Sequence, residues 1–464
     1  MTRDRVFGLA AGPGRQGSTA MGEVYLKKAS GQAKAAAAQT GEIVAGMLAE
    51  LESGGEAASR AFAEKLDSWR GDIVAPEDWF RDAEARLPET TKDDLRYAHA
   101  RVRDFAQRQR DSQQEFETEL LDGLVAGQRL IPVTTAGCYV PGGRYAHAAS
   151  AIMSVCTAKT AGVENVIATS PAKGDQRIHP AILYAMKLSG ADSVLALGGV
   201  QGVAALAYGH FTGHPADIIV GPGNSFVAEA KRMLFGRVGI DVIAGPTESM
   251  VAADDTADAA IVAADLAGQA EHGPDSPVWL VTTSRRLGEQ VIELMPRVID
   301  ALPGLSRESA TAAWRDFGEV ILTDTREEAC AVCDRYAPEH LQVQAEDLDW
   351  WLKSLKNYGS LFLGEETTVA FGDKCSGPNH ILPTRGAGRY SGGLNAQKFI
   401  KVLTYQRMTR GASRDVAQVS SRISRLEGME GHAMTGDVRL AKYFPGEEFR
   451  LSPEASAETE TAAQ

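Results

Sequence analysis

The sequence predicts an α/β protein with two parallel-sheet regions, a helical N-terminal region and a helical C-terminal segment. Three observations carry this. From Leu130, short apolar runs end in Gly-rich turns and lead into helical patterns, the repeat of a parallel sheet covered on both faces. The repeat occurs in two successive sets that end near residue 395. With 464 residues there is room for two substantial domains.

Residues 1–35 are rich in Gly and Ala and read as an N-terminal arm. Gly12-Pro-Gly-Arg-Gln-Gly17 has GxGxxG spacing, but no clear strand precedes it and Pro13 sits in its loop. We read it as flexible leader, not as a dinucleotide fingerprint. Residues 36–125 read as helices, with Glu42–Leu51, Ala57–Leu66 and Lys92–Arg110 carrying apolar residues at helical spacing among many charges.

The first set begins with a strand at Ile131–Val140, before Pro141-Gly142-Gly143, and a helix at Ala148–Ala161. Strands at Asn165–Thr169, Ser193–Leu197 and Asp217–Val220 alternate with helices at Pro180–Leu188, Val203–Tyr208 and Val227–Phe235. Two Gly-rich turns, Gly198-Gly-Val-Gln-Gly202 and Gly221-Pro-Gly-Asn224, fall between strand and helix. Helix N-termini there offer free N–H groups to an anion, at the strand ends where open sheets bind ligands. A nucleotide cleft is one reading; glycine needed simply to reverse the chain is the other. The second set has strands at Asp241–Ala244, Val278–Thr282, Gly318–Leu322, after Glu339-His340, and at Ser360–Gly364. Its helices are Ala257–Ala270, Leu287–Leu302 and Arg326–Tyr336. Both sets read as Rossmann-like. Beyond 395 the chain is mostly polar and helical, and the small, acidic residues 451–464 are expected to be disordered.

Apolar residues make up 44% of the chain and the formal charge is −13. The acidic balance argues against nucleic acid as a partner. No window approaches 18 uninterrupted apolar residues, so no membrane span is expected, and Met1–Arg5 lacks a signal-peptide core. A cytoplasmic location follows. Among five cysteines, Cys330-Ala-Val-Cys333 forms a CxxC without a second pair, and its helical setting reads as buried structural thiols.

The chemistry centres on Gln269-Ala-Glu-His272, followed by Gly273-Pro274. Residues three apart share a helical face, and the Gly-Pro stops the helix. Gln269, His272, Asp373 and His432 together supply N and O donors suited to zinc or a similar ion. Helix-capping polar groups and scattered histidines are the alternative. Glu339-His340 offers an acid–base pair, or two polar loop residues. His380 sits in the Gly/Pro-rich loop Ser376-Gly-Pro-Asn-His380, a setting that favours function over packing.

Residues 130–385 resemble the histidinol dehydrogenase family. The resemblance rests on Gly137-Cys-Tyr-Val-Pro-Gly-Gly143, Val220-Gly-Pro-Gly-Asn224, Ala244-Gly-Pro-Thr-Glu248, Gln269-Ala-Glu-His-Gly-Pro-Asp275, Pro338-Glu-His-Leu341 and Ser376-Gly-Pro-Asn-His-Ile-Leu-Pro-Thr384, and extends more weakly to Glu427-Gly-Met-Glu-Gly-His432. It implies zinc- and NAD-dependent oxidation of a primary alcohol to a carboxylate through an aldehyde. Carried over by position, Gln269, His272, Asp373 and His432 would hold Zn2+. His340 would be the general base and Glu339 would activate water. Tyr139, Gln201 and Asn224 would contact NAD, and Thr247, His380 and Glu427 the substrate. The implied domains are 36–138 with 247–394, an NAD-binding 139–246, and a dimerisation segment 395–450 that reaches the partner of a homodimer with shared active sites. A covalent thiol route through Cys138 or Cys375 is a rival for aldehyde oxidation. A nucleotide-binding regulator without activity is another, but it would not be expected to keep every one of these side chains.

Some positions depart from the biosynthetic pattern. Lys374 stands where such enzymes usually carry tyrosine, and Thr247 replaces serine. The run 386–406, with Arg389-Tyr-Ser-Gly-Gly393, also differs. These features resemble a catabolic branch that includes sulfopropanediol 3-dehydrogenase activity, the oxidation of 2,3-dihydroxypropane-1-sulfonate to sulfolactate. Lys374 beside the metal would repel the ammonium of histidinol. Two like charges about 5 Å apart at an effective dielectric near 20 cost roughly 3 kcal/mol, about a hundredfold in affinity. A sulfonate would gain from the same charge. L-Histidinol is the alternative substrate, and Asn395-Ala-Gln397 leaves another small hydroxylated alcohol open.

Overall fold

The computed structural model describes residues 22–30, 37–142, 146–243 and 245–452. The GxGxxG stretch at 12–17, Ala244 and nearly all of 451–464 lie outside these. The chain forms two compact units. The first runs to Ala106 and resumes over Thr134–Asn395; the second joins Gln107–Val133 to the residues from Ala396 onward. Among the described residues no helix is long and apolar enough to cross a membrane.

The first unit opens with strand β1 (Val24–Lys27), within the expected arm. Helices α1 (Ala37–Asp67), α2 (Glu77–Arg86) and α3 (Glu89–Asp111) follow. α1 breaks at Gly55, with φ of 59°, which separates the two helices expected there. Two short strands of a hairpin, β2 (Phe116–Leu121) and β3 (Leu124–Pro132), belong to the second unit. The expected strand Ile131–Val140 is therefore two strands, with β4 (Thr135–Tyr139) opening the next sheet.

That sheet is all parallel, in the order β6-β5-β4-β7-β8, with β5 (Asn165–Thr169), β6 (Ser193–Leu195), β7 (Ile218–Val220) and β8 (Gly239–Ile240). Helix α4 (Ala148–Ala151) passes through a π-turn, Ile152–Cys156, into α5 (Thr157–Ala161). Helices α6 (Pro180–Leu188), α7 (Gly199–Tyr208) and α8 (Ser225–Leu234) complete the set. The expected strand Asp241–Ala244 is not one: β8 stops at Ile240, and the Asp241 carboxylate turns inward. Its Oδ2 accepts from the Gly221 amide at 2.7 Å, and its Oδ1 is paired with Lys231 in the core. Lys231 Nζ also donates to the Gly221 carbonyl at 2.9 Å. This buried pair fixes both backbone groups of Gly221. Only glycine fits there, because φ is 120° and a Cβ would strike the Tyr139 carbonyl.

The second sheet has the order β1-β11-β10-β9-β12-β13, parallel except for β1. Its strands are β9 (Ser249–Ala253), β10 (Val278–Thr282), β11 (Glu319–Leu322), β12 (His340–Gln344) and β13 (Ser360–Leu363). Its helices are α9 (Ala259–Ala270), α10 (Arg285–Asp300), α11 (Gly304–Phe317), α12 (Arg326–Tyr336), α13 (Leu348–Ser354) and α14 (Val369–Lys374). Apolar faces of α9, α10 and α11 close one side over Val251, Leu280 and Val320, all at most 1% exposed. α12 and α13 close the other side with Cys330, Cys333 and Trp351. The CxxC thiols are thus packing groups, and burial pushes Cys330 up to about 11.

The second unit is a three-stranded antiparallel sheet, β14-β3-β2, with β14 (Ile400–Met408), and a hairpin of α15 (Arg410–Leu426) and α16 (Glu430–Tyr443). The helical reading of this segment holds for α15 and α16, but β14 corrects it. Its side chains stay exposed along nearly the whole strand, so no buried–exposed alternation marked it.

Candidate active site

Three local devices bring the central residues together. The capping box of α12 starts that helix: Thr325 Oγ1 accepts from the Glu328 amide at 3.2 Å, and Glu328 Oε2 accepts from the Thr325 amide at 3.3 Å. α12 ends at Ala337, held in the left-handed region at φ of 48°, so the chain turns at once into Pro338-Glu339-His340. Asp258 caps α9 by accepting from the Ala260 amide at 2.7 Å. α9 then delivers Gln269 in its last turn, with His272 in the turn just beyond. α14 delivers Asp373 and Lys374 at its C-terminal end.

Asp373 stands between two imidazoles. His272 Nε2 lies 3.8 Å from Oδ2 and His340 Nε2 lies 3.6 Å from Oδ1. Burial alone would raise the Asp373 carboxyl, but His340, His380 and His272 overrule it and hold it well below the carboxylate range. Burial lowers His272 and keeps it neutral, the form in which an imidazole can bind a metal. Gln269 is 4% exposed, and its Oε1 has no hydrogen-bond partner. An orphaned buried acceptor, a neutral imidazole and a carboxylate make a donor set that fits a divalent cation. Among the described residues no three His, Cys, Asp or Glu side chains are grouped to hold a metal, so the set depends on its glutamine and on a further ligand.

His340 is oriented by backbone. Its Nδ1 lies 3.2 Å from the Glu248 carbonyl, an acceptor only, so Nδ1 carries the proton. The other nitrogen, Nε2, is buried and has no hydrogen-bond partner; neutral His340 therefore presents a lone pair to the cleft. Glu339 Oε2 accepts from the Glu248 amide at 3.0 Å. Burial pushes Glu339 up to about 8. Burial would lower His340, but the Glu339 and Asp373 carboxylates more than offset it and hold it up to about 9. The two titrate as a pair. Gly359 lets β13 run against this corner, since a Cβ there would meet the Glu339 carbonyl.

His380 is tied at both nitrogens. Nδ1 lies 2.7 Å from the Asp373 carbonyl and therefore donates, which leaves Nε2 to accept from Ser150 Oγ at 2.9 Å. Its loop is moored by Asn379 Nδ2, which donates to the Met153 carbonyl at 2.8 Å inside the π-turn. Such turns leave a carbonyl available and cluster at functional sites.

These groups line two adjoining cavities of about 720 and about 340 Å3. Both share His147, Ser150, His272, Asp373, Lys374 and His380. Gln269 lines the larger; Glu339, His340, Thr247 and Asn224 line the smaller. Lys374 is exposed and lies in both walls. Asn224 caps α8, with Oδ1 accepting from the Phe226 and Val227 amides at 3.1 Å each. Tyr139 and Gln201 lie in neither wall. Tyr139 Oη accepts from the Gly199 amide at 3.0 Å, and Gln201 Nε2 donates to Asp67 at 2.9 Å while its Oε1 is buried without a partner. Glu427 and His432 belong to the second unit, at the C-cap of α15 and in α16, both exposed.

Sequence reasoning missed His147. Burial above all, with Lys374 and any proton shared by the nearby His380 and His272 adding to it, pulls it down to about 4. The available signal was a histidine at the cap of the helix after the Pro141-Gly142-Gly143 turn.

Comparison with known proteins agrees with this architecture. The family model described as histidinol dehydrogenase matches residues 30–440. The sulfopropanediol 3-dehydrogenase of Ruegeria pomeroyi is 55% identical over 92% of this chain and 98% of its own. The histidinol dehydrogenase of Thermus thermophilus is 40% identical over 86% and 94%. The crystal structure of histidinol dehydrogenase from Elizabethkingia anophelis superposes with a TM-score of 0.83 at 30% identity, covering 90% of this chain and 94% of that one. With two parallel sheets framing one cleft and a match along nearly its whole length, the chain belongs to the histidinol dehydrogenase family and is an NAD-dependent alcohol dehydrogenase.

Proposed function

We propose that the enzyme oxidises a primary alcohol to a carboxylate in two hydride transfers, with zinc and NAD, and that its substrate is 2,3-dihydroxypropane-1-sulfonate, yielding sulfolactate. The observation that carries the reaction is the pair of buried, unpartnered atoms, Gln269 Oε1 and His340 Nε2, in cavity walls that share Asp373. Gln269, His272 and Asp373, with His432 from a second copy, would hold zinc. The ion supplies a Lewis acid that fixes a substrate heteroatom. His340 Nε2 takes the hydroxyl proton as hydride leaves the carbon for NAD. The proton load on His340 depends on Glu339 and Asp373 being anionic, and a carboxylate committed to a cation withdraws that support. The aldehyde stays bound, Glu339 orients and deprotonates water, and a second hydride passes to a second NAD. Tyr139, Gln201 and Asn224 would serve the dinucleotide, at helix N-termini suited to its phosphates.

The anionic substrate is supported by Lys374 in both cavity walls, with Thr247 and His380 beside it and Glu427 from the second copy. The sulfopropanediol 3-dehydrogenase relative shares more identity than the Thermus histidinol dehydrogenase. Exposed apolar residues of the second unit, among them Leu120, Val402, Ile423, Leu426 and Val438, each at least 49% exposed, support a homodimer. Free thiols throughout suit the cytoplasm. The deciding measurement is NADH production with the sulfonated diol and with L-histidinol, alongside zinc content. Turnover of histidinol and not of the sulfonate overturns the substrate; a metal-free protein with full activity overturns the zinc.

A further inference from the structure

Asp265 lies on α9 one turn before Gln269, and so on the same face. It lines neither cavity. Its carboxylate gathers three donors from two other elements. Oδ2 accepts from Gln342 Nε2 and Gln344 Nε2, each at 2.8 Å, and Oδ1 accepts from Thr368 Oγ1 at 2.8 Å. Gln342 and Gln344 alternate with His340 along β12, so the three share one face of the strand. Thr368 is the N-cap of α14, the helix that carries Asp373 and Lys374. Gln342 Nε2 also donates to the Thr367 carbonyl at 2.9 Å. One carboxylate thus joins the helix of Gln269 and His272, the strand of His340 and the helix of Asp373.

The environment is not one a surface aspartate would occupy by default. Burial pushes its carboxyl above the ordinary aspartate range, against the pull of its three hydrogen bonds. Both glutamine Oε1 atoms are buried without partners, so the two amides are held there through their N–H groups alone. A packing role would be met more cheaply by apolar residues.

We propose that Asp265 is a positioning residue that sets α9, β12 and α14 relative to one another so that Gln269, His272 and Asp373 present their donors to one ion. This rests on the zinc reading above. Partners behind a metal's ligands commonly set its affinity by about 10- to 100-fold.

The test is zinc binding to metal-free protein by competition with a chromophoric chelator, paired with the visible spectrum of the cobalt(II) form. Asp265→Leu is expected to weaken zinc by about tenfold or more and to change the cobalt spectrum, with the circular dichroism of the metal-free protein retained. Asp265→Asn is expected to restore both readouts, because either glutamine can turn its Oε1 toward the new amide. Thr368→Val removes only the tie to α14 and should weaken zinc by less. Equal zinc affinity in Asp265→Leu and the unsubstituted protein overturns the proposal. Should Asp265→Leu not fold, unchanged affinity and spectrum in Thr368→Val overturn it instead. Failure of the unsubstituted protein to bind zinc is a different result, and sinks the metal reading itself.

Discussion

The two parallel sheets of the first unit are built alike yet offer the cleft opposite ends. The sheet of β4 to β8 presents strand C-termini, and the helices that start there, α7 and α8, direct N-termini toward Gly198-Gly199 and Asn224. The sheet centred on β9 and β12 presents strand N-termini, with His340 in register with Ser249 and Ser360. The helices that return to that edge, α9 and α14, end there with Gln269, His272, Asp373 and Lys374. A helix carries roughly half a positive charge at its start and half a negative charge at its end. The first edge therefore favours phosphate and the second a cation, before any side chain is placed. The difference teaches that strand polarity alone gives the two walls of one cleft opposite electrostatic preferences.

Five substitutions test that contrast. His340→Asn strikes the cation-facing edge, and we expect kcat to fall by about 10^2- to 10^4-fold while bound zinc, measured by elemental analysis, is unchanged; loss of metal with activity would make His340 a ligand instead. Lys231→Met strikes the phosphate-facing edge by stranding Asp241 in the core. Denaturant melts should show a loss of about 3–5 kcal/mol, and a stable variant with an unaltered KM for NAD would mean the Gly221 turn holds itself. Lys374→Tyr separates substrate from cofactor: KM for the sulfonated diol should rise by about a hundredfold, with KM for NAD steady. Equal increases for both would remove the electrostatic argument. The smallest effect is expected for Cys138→Ala and Cys375→Ala. Burial pushes Cys138 up to about 12, so it is no thiolate at neutral pH, and both variants should still carry aldehyde through to acid. Accumulation of aldehyde in either would favour the thiol route.

How much of this was legible follows physical lines. α12 was readable over Arg326–Tyr336, though its capping pair Thr325 and Glu328 was not singled out, and β5 was readable through the run Val166-Ile167. β9 did not: Ser249-Met-Val-Ala-Ala253 has a single β-branched residue, and it becomes the central strand only because β10 and β12 flank it. β2 and β14 expose side chains on both faces, so their sequences lack the alternation that burial imposes. At the site, paired or clustered chemistry was readable, as in Gln269 with His272 and Glu339 with His340. Asp265 and Asp241 were not, because an acidic residue at a helical or strand-end position looks like solvent-facing charge until its partner folds against it. His147 escaped for a related reason: its neighbours His272, Lys374 and His380 come from more than a hundred positions away.

The extra residue in Ile152–Cys156 bears on how this scaffold can change. A helix turns about 100° per residue, so deleting one residue there would swing the stretch that begins at His147 against the one that ends at Ala161. The Met153 oxygen would return to ordinary helical pairing, and the segment from Ser376 to Thr384 would lose its mooring. Single-residue deletions should thus be poorly tolerated in this stretch, whose backbone holds the loop that carries His380.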